Sequence, residues 1–299
     1  MENLIIVGAG PAGISAALYA ARANLDPLVI NNGIGALEKA EKIENYYGLP
    51  HPVTGKELFE NGIAQAKALG VRVLDAQVLG VSGFDTFQVK TTEGDFESIS
   101  VILATGSKRK KPGIPGLQEF EGKGVSYCAV CDAFFYRGKN VAVLGNSDFA
   151  LHEAQTLLAT AGSVTIYTDG MEPEFSTKPD LPVNTMKIQA IEGAKTVSGL
   201  RLEPEVSIQE NGENVSSFAA ADGIFVAMGT AGSSEMARQM GAALTEKGNI
   251  KVNDQMESTI PGLFAAGDCT GGLLQVAKAV ADGAQAGISA GKYVRSRKK

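Results

Sequence analysis

Leu4-Ile5-Ile6-Val7-Gly8-Ala9-Gly10-Pro11-Ala12-Gly13 is the stretch on which the fold turns. Four consecutive apolar residues suit a strand buried on both faces of a parallel sheet. The residues after it follow Gly-x-Gly-x-x-Gly, and Ile14 to Ala23 continues as a helix of small residues. Each glycine has a task in such a turn. Gly8 permits the tight reversal, Gly10 lets the backbone approach a pyrophosphate, and Gly13 lets helix and strand pack closely. The helix N-terminus then offers N–H donors and partial positive charge to an anion. Asn24-Leu25-Asp26-Pro27 stops the helix, and Leu28-Val29-Ile30 is the next strand, so the chain opens as a dinucleotide-binding βαβ unit. That second strand ends in Asn31, with no Asp or Glu for a ribose 2′-hydroxyl.

The same grammar returns further along. Val141-Ala142-Val143-Leu144 leads into Gly145-Asn146-Ser147-Asp148-Phe149-Ala150, a helix to about Ala161, and the strand Val164-Thr165-Ile166-Tyr167. Two such starts predict two dinucleotide-type domains rather than one large sheet. Between them, Gln88-Val89-Lys90 and the turn Thr92-Glu93-Gly94 read as a β-ribbon, and Val101 to Gly106 as a buried strand entering a glycine turn. Pro112-Gly113-Ile114-Pro115-Gly116 has the composition of a linker. Gly223 to Gly229 and Gly262 to Asp268 repeat the strand-into-glycine pattern, and an Ala/Gly-rich helix from about Leu274 to Val294 closes the chain.

Composition agrees with an ordinary globular protein and narrows its class. Of 299 residues, 44% are apolar and 20% charged, which excludes a disordered or fibrous chain. The 36 glycines make about 12% of the chain against about 7% on average, with no collagen-like period. A net charge of −6 argues against a general nucleic-acid binder. Basic runs stand at Lys108-Arg109-Lys110-Lys111 and from Arg295 to Lys299; a solvated surface is their simplest reading. No apolar run reaches the length of a membrane span, and Met1-Glu2-Asn3 lacks the basic region of a signal peptide, so a cytoplasmic protein is expected.

Chemistry concentrates at Cys128-Ala129-Val130-Cys131-Asp132. Two residues between cysteines permit a short-loop disulfide, and the turn can lower one thiol pKa so that thiolate attack is possible near neutral pH. A structural pair and a zinc half-site are the alternatives. The zinc reading needs two more ligands, yet there is no second Cys-x-x-Cys, and His51 and His152 stand far away in sequence. With no histidine beside the motif, Asp132 is the candidate to carry a proton to a departing thiolate, against a simple capping role. Cys269 reads as a small buried residue.

Gly8–Gly13, Cys128–Asp132 with Phe134-Phe135-Tyr136-Arg137-Gly138, Ala104-Thr105-Gly106 and Gly262–Asp268 together resemble the low-molecular-weight thioredoxin reductases, in the same order and over essentially the whole chain. The resemblance implies two Rossmann-like three-layer α/β domains. A discontinuous FAD domain would span 1–113 and 243–299, with a Cys-x-x-Cys domain inserted at 114–242. It implies FAD contacts from Gly8, Gly10, Pro11, Ala12, Gly13, Asn31, Asn45, Val78, Ala104, Thr105, Gly106, Gly267, Asp268, Gln275 and Val276. It also implies that Cys131 faces the flavin, that Cys128 attacks the thioredoxin disulfide, and that the enzyme is a homodimer. Phe134 and Phe135 are candidates for partner docking, with a core role for one of them equally open.

Departures from the family pattern cluster in the second glycine loop. NADPH-dependent members carry Gly-x-Gly-x-x-Ala there. In this chain Ser147 puts a side chain where backbone would approach a pyrophosphate, Asp148 a carboxylate in the phosphate slot, and Phe149 bulk in the same turn. The next strand ends Tyr167-Thr168-Asp169-Gly170, where NADPH users show a His-Arg-Arg run; Asp169 would repel a 2′-phosphate. Asn32 to Glu41 also lacks the usual Gly-Gly-Gln-Leu run. The pattern resembles the ferredoxin-dependent flavin thioredoxin reductases, which implies reduced ferredoxin as donor, with Lys108 to Lys111 as a docking candidate. An NADPH- or NADH-driven reductase and a flavin redox sensor without turnover are the alternatives.

Overall fold

The computed structural model describes residues 1–106, 112–203, 217–229 and 232–298. The chain divides into two compact units, one of Met1–Arg109 with Gly232–Lys299 and one of Lys110–Ala231. The first unit opens with β1 (Ile5–Val7), α1 (Pro11–Arg22), β2 (Leu28–Asn31), α2 (Gly55–Ala68) and β3 (Arg72–Asp75). An antiparallel ribbon of β4 (Val78–Ser82), β5 (Phe87–Thr91) and β6 (Gly94–Ser98) precedes β7 (Val101–Leu103). The second unit contains β8 (Val125–Ser126), α3 (Ala129–Asp132), β9 (Asn140–Leu144), α4 (Asp148–Leu158), β10 (Ser163–Tyr167) and β11 (Val183–Asn184). Its own antiparallel ribbon is β12 (Ile188–Gly193), β13 (Val197–Leu202) and β14 (Ser217–Ala220), followed by β15 (Gly223–Val226). The return to the first unit brings α5 (Ser233–Gln239), β16 (Leu263–Ala265) and α6 (Val276–Arg297).

Both principal sheets are parallel, in the orders β16-β7-β1-β2-β3 and β11-β10-β9-β15-β8. Strand β1 is paired on both sides, by β2 and β7, and β9 by β10 and β15. That double pairing is why each is a continuous apolar run: both faces lie against helices or ribbon, and Ile5, Ile6, Val143 and Leu144 are fully buried. In the first unit α1 and α6 approach closely. A Cβ on Gly283 would stand 2.1 Å from the Ala12 carbonyl oxygen, and one on Gly287 2.4 Å from that of Ala16. The small-residue composition of both helices follows from this contact. Among the described residues no helix is long and apolar enough to cross a membrane.

Two sequence expectations shift. The chain returns to the first unit at Gly232, earlier than the 243 expected. Ser233, at the start of α5, is the cause: it exchanges hydrogen bonds with Thr105. The Thr105 N–H donates to Ser233 Oγ (3.1 Å), the Ser233 N–H donates to Thr105 Oγ1 (2.9 Å), and the two hydroxyls lie 2.7 Å apart. Phe149, expected as bulk in the second glycine turn, is instead 3% exposed on the buried face of α4.

Candidate active site

The first unit builds a cradle at the carboxyl ends of β1 and β7. Gly8 has φ +109°, and a Cβ there would stand 2.5 Å from the Ala104 carbonyl oxygen. A Cβ on Gly13 would stand 1.8 Å from the Gly8 carbonyl oxygen, so this position admits no side chain. In front of Gly10 there is nothing within 4 Å of a Cβ position. Gly10 is also the N-cap of α1, with Pro11 in its first turn and no side chain capping it. The helix end therefore faces open space with its N–H groups, the arrangement that binds a phosphate. Gly267, with φ +83°, closes one side of the cradle, where a Cβ would stand 2.9 Å from that of Ala12.

At the end of β2, Asn31 Nδ2 donates to Asp75 Oδ1 (2.7 Å), while Asn31 Oδ1 is buried without a partner. An orphaned acceptor at the tip of the second strand suits a hydroxyl donor such as a ribose supplies. Asn45 Nδ2 donates to Gln275 Oε1 (3.1 Å), so these two distant residues meet, with Gln275 as the N-cap of α6. Val276 joins the small apolar cluster of Leu37, Ile43 and Val53. Thr105 and Gly106 follow β7; Gly106 has φ +84° and an open Cβ direction. Asp268 begins a 3-10 turn, and Val78 is buried at the start of β4, on the ribbon rather than the parallel sheet. The open Gly10, the uncapped α1 and the orphaned Asn31 oxygen fit a dinucleotide with its pyrophosphate at the helix end.

The second unit carries the cysteines. Cys128 and Cys131 are joined in a disulfide, with Cα atoms 5.3 Å apart. Cys128 is the N-cap of α3 and is 2% exposed, and the Cys131 N–H donates to its Sγ (3.1 Å). Cys131 is the exposed residue of the pair. Ser126 Oγ accepts from the Cys128 N–H (3.1 Å) and donates to Asp132 Oδ2 (2.6 Å), which ties the aspartate to the redox turn. A second carboxyl stands there that sequence reasoning missed. Glu153 on α4 is 2% exposed, and its Oε2 accepts from the Ala129 N–H (2.8 Å). Its place on the stripe of Phe149, Ala150, Ala154 and Leu157 was the available signal: an acid on a buried helix face.

Residues 2–283 match the model of the pyridine nucleotide-disulphide oxidoreductase family. Thioredoxin reductase of Treponema pallidum is 36% identical, with 98% of this chain and 97% of the relative aligned. This chain belongs to the thioredoxin reductase family. The atypical thioredoxin reductase TRi from Desulfovibrio vulgaris Hildenborough superimposes with a TM-score of 0.89 at 38% identity, covering 99% of both chains. A ferredoxin-flavin thioredoxin reductase from Clostridium acetobutylicum does so with a TM-score of 0.70 at 30% identity, covering 98% of both. Family members are FAD-dependent flavoproteins, and FAD is a dinucleotide of the kind that the cradle of the first unit fits.

Within this thioredoxin reductase fold the second glycine loop has a different fate. Gly145 keeps its role; a Cβ there would stand 2.4 Å from the Ala227 carbonyl oxygen. The rest of the loop is covered by the chain itself. Asn146 Nδ2 donates to the Glu172 carbonyl (2.9 Å), the Glu174 N–H donates to the Asn146 carbonyl (2.6 Å), and Ser147 pairs with Glu174 in a parallel bridge. Asp148 Oδ1 accepts from both the N–H (2.8 Å) and the hydroxyl (3.0 Å) of Ser176. Ser147 Oγ donates to the Gly229 carbonyl (2.7 Å). Asp169, at φ +54°, accepts from the Ile188 N–H (2.8 Å) and so closes a turn.

The surface beside the disulfide is apolar. Val130, Phe134 and Phe135 are exposed, with the Phe rings edge to face at 6.1 Å and the Arg137 guanidinium 5.5 Å from the Phe134 ring centre. The core role falls to Tyr136, whose ring meets Phe225 at 5.1 Å. Cys269 is buried; its thiol is pushed up to about 12 by desolvation, and its Sγ donates to the Ala266 carbonyl at 3.3 Å. The Lys108 to Lys111 run lies outside the described residues.

Proposed function

We propose that this chain reduces disulfides of thioredoxin-like proteins through Cys128–Cys131 and takes its electrons from reduced ferredoxin rather than from a nicotinamide nucleotide. The observation that carries the choice of donor is the segment Glu172–Ser176, which lies along the second glycine loop and is hydrogen-bonded to its Asn146 and Asp148. A nucleotide there would have to displace those hydrogen bonds and also face the Asp148 carboxylate at the start of α4. The likeness to a solved ferredoxin-flavin thioredoxin reductase supports the same reading.

In this proposal Gly8, Gly10, Pro11, Ala12, Gly13 and Asn31 hold the dinucleotide end of FAD. Asn45, Val78, Ala104, Thr105, Gly106, Gly267, Asp268, Gln275 and Val276 line the remainder of its path. Bound FAD supplies the junction between one-electron and two-electron chemistry. The chain's own part is thiol chemistry. The Cys131 N–H directed at Cys128 Sγ favours a thiolate at Cys128, the nucleophile toward a thioredoxin disulfide. Asp132, held by Ser126, carries a proton to the departing thiolate. Val130, Phe134 and Phe135 form the partner-facing surface, and the protein works as a cytoplasmic homodimer. Energetics allow the direction: a ferredoxin near −400 mV and a thioredoxin near −270 mV differ by about 130 mV, roughly 6 kcal/mol for two electrons.

Anaerobic mixing of the flavin-loaded protein with NADPH, NADH or reduced ferredoxin, followed by visible flavin absorbance, tests the donor. Bleaching by ferredoxin and not by either nucleotide is expected. Rapid bleaching by NADPH would overturn the proposal in favour of a nicotinamide-driven reductase, the reading that the family's description favours. Bleaching by ferredoxin with no thiols formed in thioredoxin would make the protein a redox sensor.

A further inference from the structure

Glu153 has no part in the chemistry described so far, yet the fold brings it to the redox turn from α4. It is the one charged side chain on the buried face of that helix. Its Oε2 accepts from the N–H of Ala129, the residue bonded to Cys128, while its Oε1 is buried with no partner. A lone carboxylate oxygen out of water is costly, and a buried orphan calls for an explanation. Reduction of the disulfide would place a second negative charge one residue away, on Cys128, where the Cys131 N–H directs it. Two neighbouring anions out of water disfavour each other, so one of them takes a proton.

We propose that Glu153 is the redox-linked proton site of the Cys128–Cys131 couple, a positioning residue that holds Ala129 as a carboxylate and becomes a carboxylic acid when the disulfide is reduced. The proposal rests on the reading of this disulfide as the redox-active pair. The S–S bond breaks as two electrons enter from a dithiol or from the enzyme's own donor. One sulfur takes a proton and becomes a thiol, the other stays a thiolate, and the second proton goes to the Glu153 carboxylate. Reoxidation returns both electrons and both protons. Asp132 is less suited to this part, being half-buried and already hydrogen-bonded by Ser126.

Burial, rather than a neighbouring charge, sets this proton affinity. Of the elements packed against α4, α3 with its N-cap carries Asp132 and the two cysteines, β9 no titratable side chain and β10 Tyr167, while α4 itself carries Asp148 and His152. Burial raises the carboxyl to about 7, and the Ala129 N–H pulls the other way. The oxidised protein is therefore poised to accept a proton at neutral pH.

Reduced-minus-oxidised infrared difference spectra of the flavin-loaded protein, poised with dithiothreitol buffers above the pH of about 7 at which Glu153 ionises, test the proposal. Wild type should lose a carboxylate band and gain a protonated-carboxyl band on reduction. Asp132→Asn should keep that change, whereas Glu153→Gln and Cys128→Ser should abolish it. In the same pH range the equilibrium constant for reducing the disulfide should fall tenfold more per pH unit in wild type than in Glu153→Gln, or 29.6 mV for the two-electron couple. Thiols forming with no carboxyl change, or equal pH slopes in the two proteins, would overturn the inference while leaving the redox pair intact. A disulfide that never yields thiols would overturn both. If Gln at 153 does not fold, the wild-type, Asp132→Asn and Cys128→Ser spectra still decide the matter.

Discussion

Replacing Glu153 by Gln should change how the second unit's stability depends on pH, independently of any redox chemistry. The carboxyl stands at about 7 in the folded protein against 4.5 for a free glutamate side chain, because desolvation outweighs the Ala129 N–H. The folded state thus binds this proton more tightly than the unfolded state. Its stabilising share is complete below about pH 4.5 and is lost as pH rises through about 7. The 2.5-unit gap, at 1.36 kcal/mol per unit, amounts to about 3 kcal/mol. Gln keeps an oxygen for the Ala129 N–H and cannot ionise, so the oxidised variant lacks the decline. Native-state hydrogen exchange on peptides from α4 and β9 reads the opening free energy of this unit across the pH range. The wild-type value should fall relative to the variant by about 3 kcal/mol between acid and alkaline pH, with the slope steepest between the two pKa values. Any constant offset reports the packing of the amide and is irrelevant to the slope. A difference that stays flat with pH would refute the reasoning, since it would show that Glu153 ionises freely in place.

Other expectations follow from the same geometry. Gly13→Ala should purify with little bound flavin, because its Cβ would stand 1.8 Å from the Gly8 carbonyl oxygen; the flavin-to-protein absorbance ratio checks this. Cys128→Ser should accept electrons from its donor at the wild-type rate yet lose thioredoxin-disulfide reduction entirely, as seen in paired flavin and insulin-reduction assays. Ser147→Gly combined with Asp148→Asn should not confer flavin reduction by NADPH, because the Asn146 bonds to Glu172 and Glu174 still hold the covering segment; rapid NADPH bleaching would refute this. Phe134→Ala with Phe135→Ala should raise the KM for a thioredoxin-like partner about tenfold, roughly 1.4 kcal/mol, while leaving donor-driven flavin reduction unchanged in stopped-flow traces.

Much of the fold is legible because its signals are local. The runs at β1, β7, β9 and β16 are apolar throughout since each strand is covered on both faces, and the turns after them need glycine for backbone reasons visible in the residues themselves. The ribbon of β12 to β14 is harder to read, because its short stretches mix buried and exposed positions and carry bulges. The place where the chain re-enters the first unit was equally obscure; it depends on Ser233 meeting Thr105, 128 residues earlier. Phe149 illustrates the limit at a single position. In the motif it looks like an obstruction, and in the helix it is an ordinary core residue facing inward.

By itself the sequence determined that a dinucleotide cradle exists in the first unit and that a Cys-x-x-Cys turn exists in the second, since both rest on contiguous residues whose backbone and thiol chemistry is intrinsic. Tertiary structure alone decided which neighbours those motifs have. It laid residues 172–176 along the second glycine loop, left one oxygen of Asn31 bare at the end of β2, and set a buried carboxyl beneath the redox turn. Each of these depends on packing that brings together segments remote in sequence, and on whether a buried polar group finds a partner there.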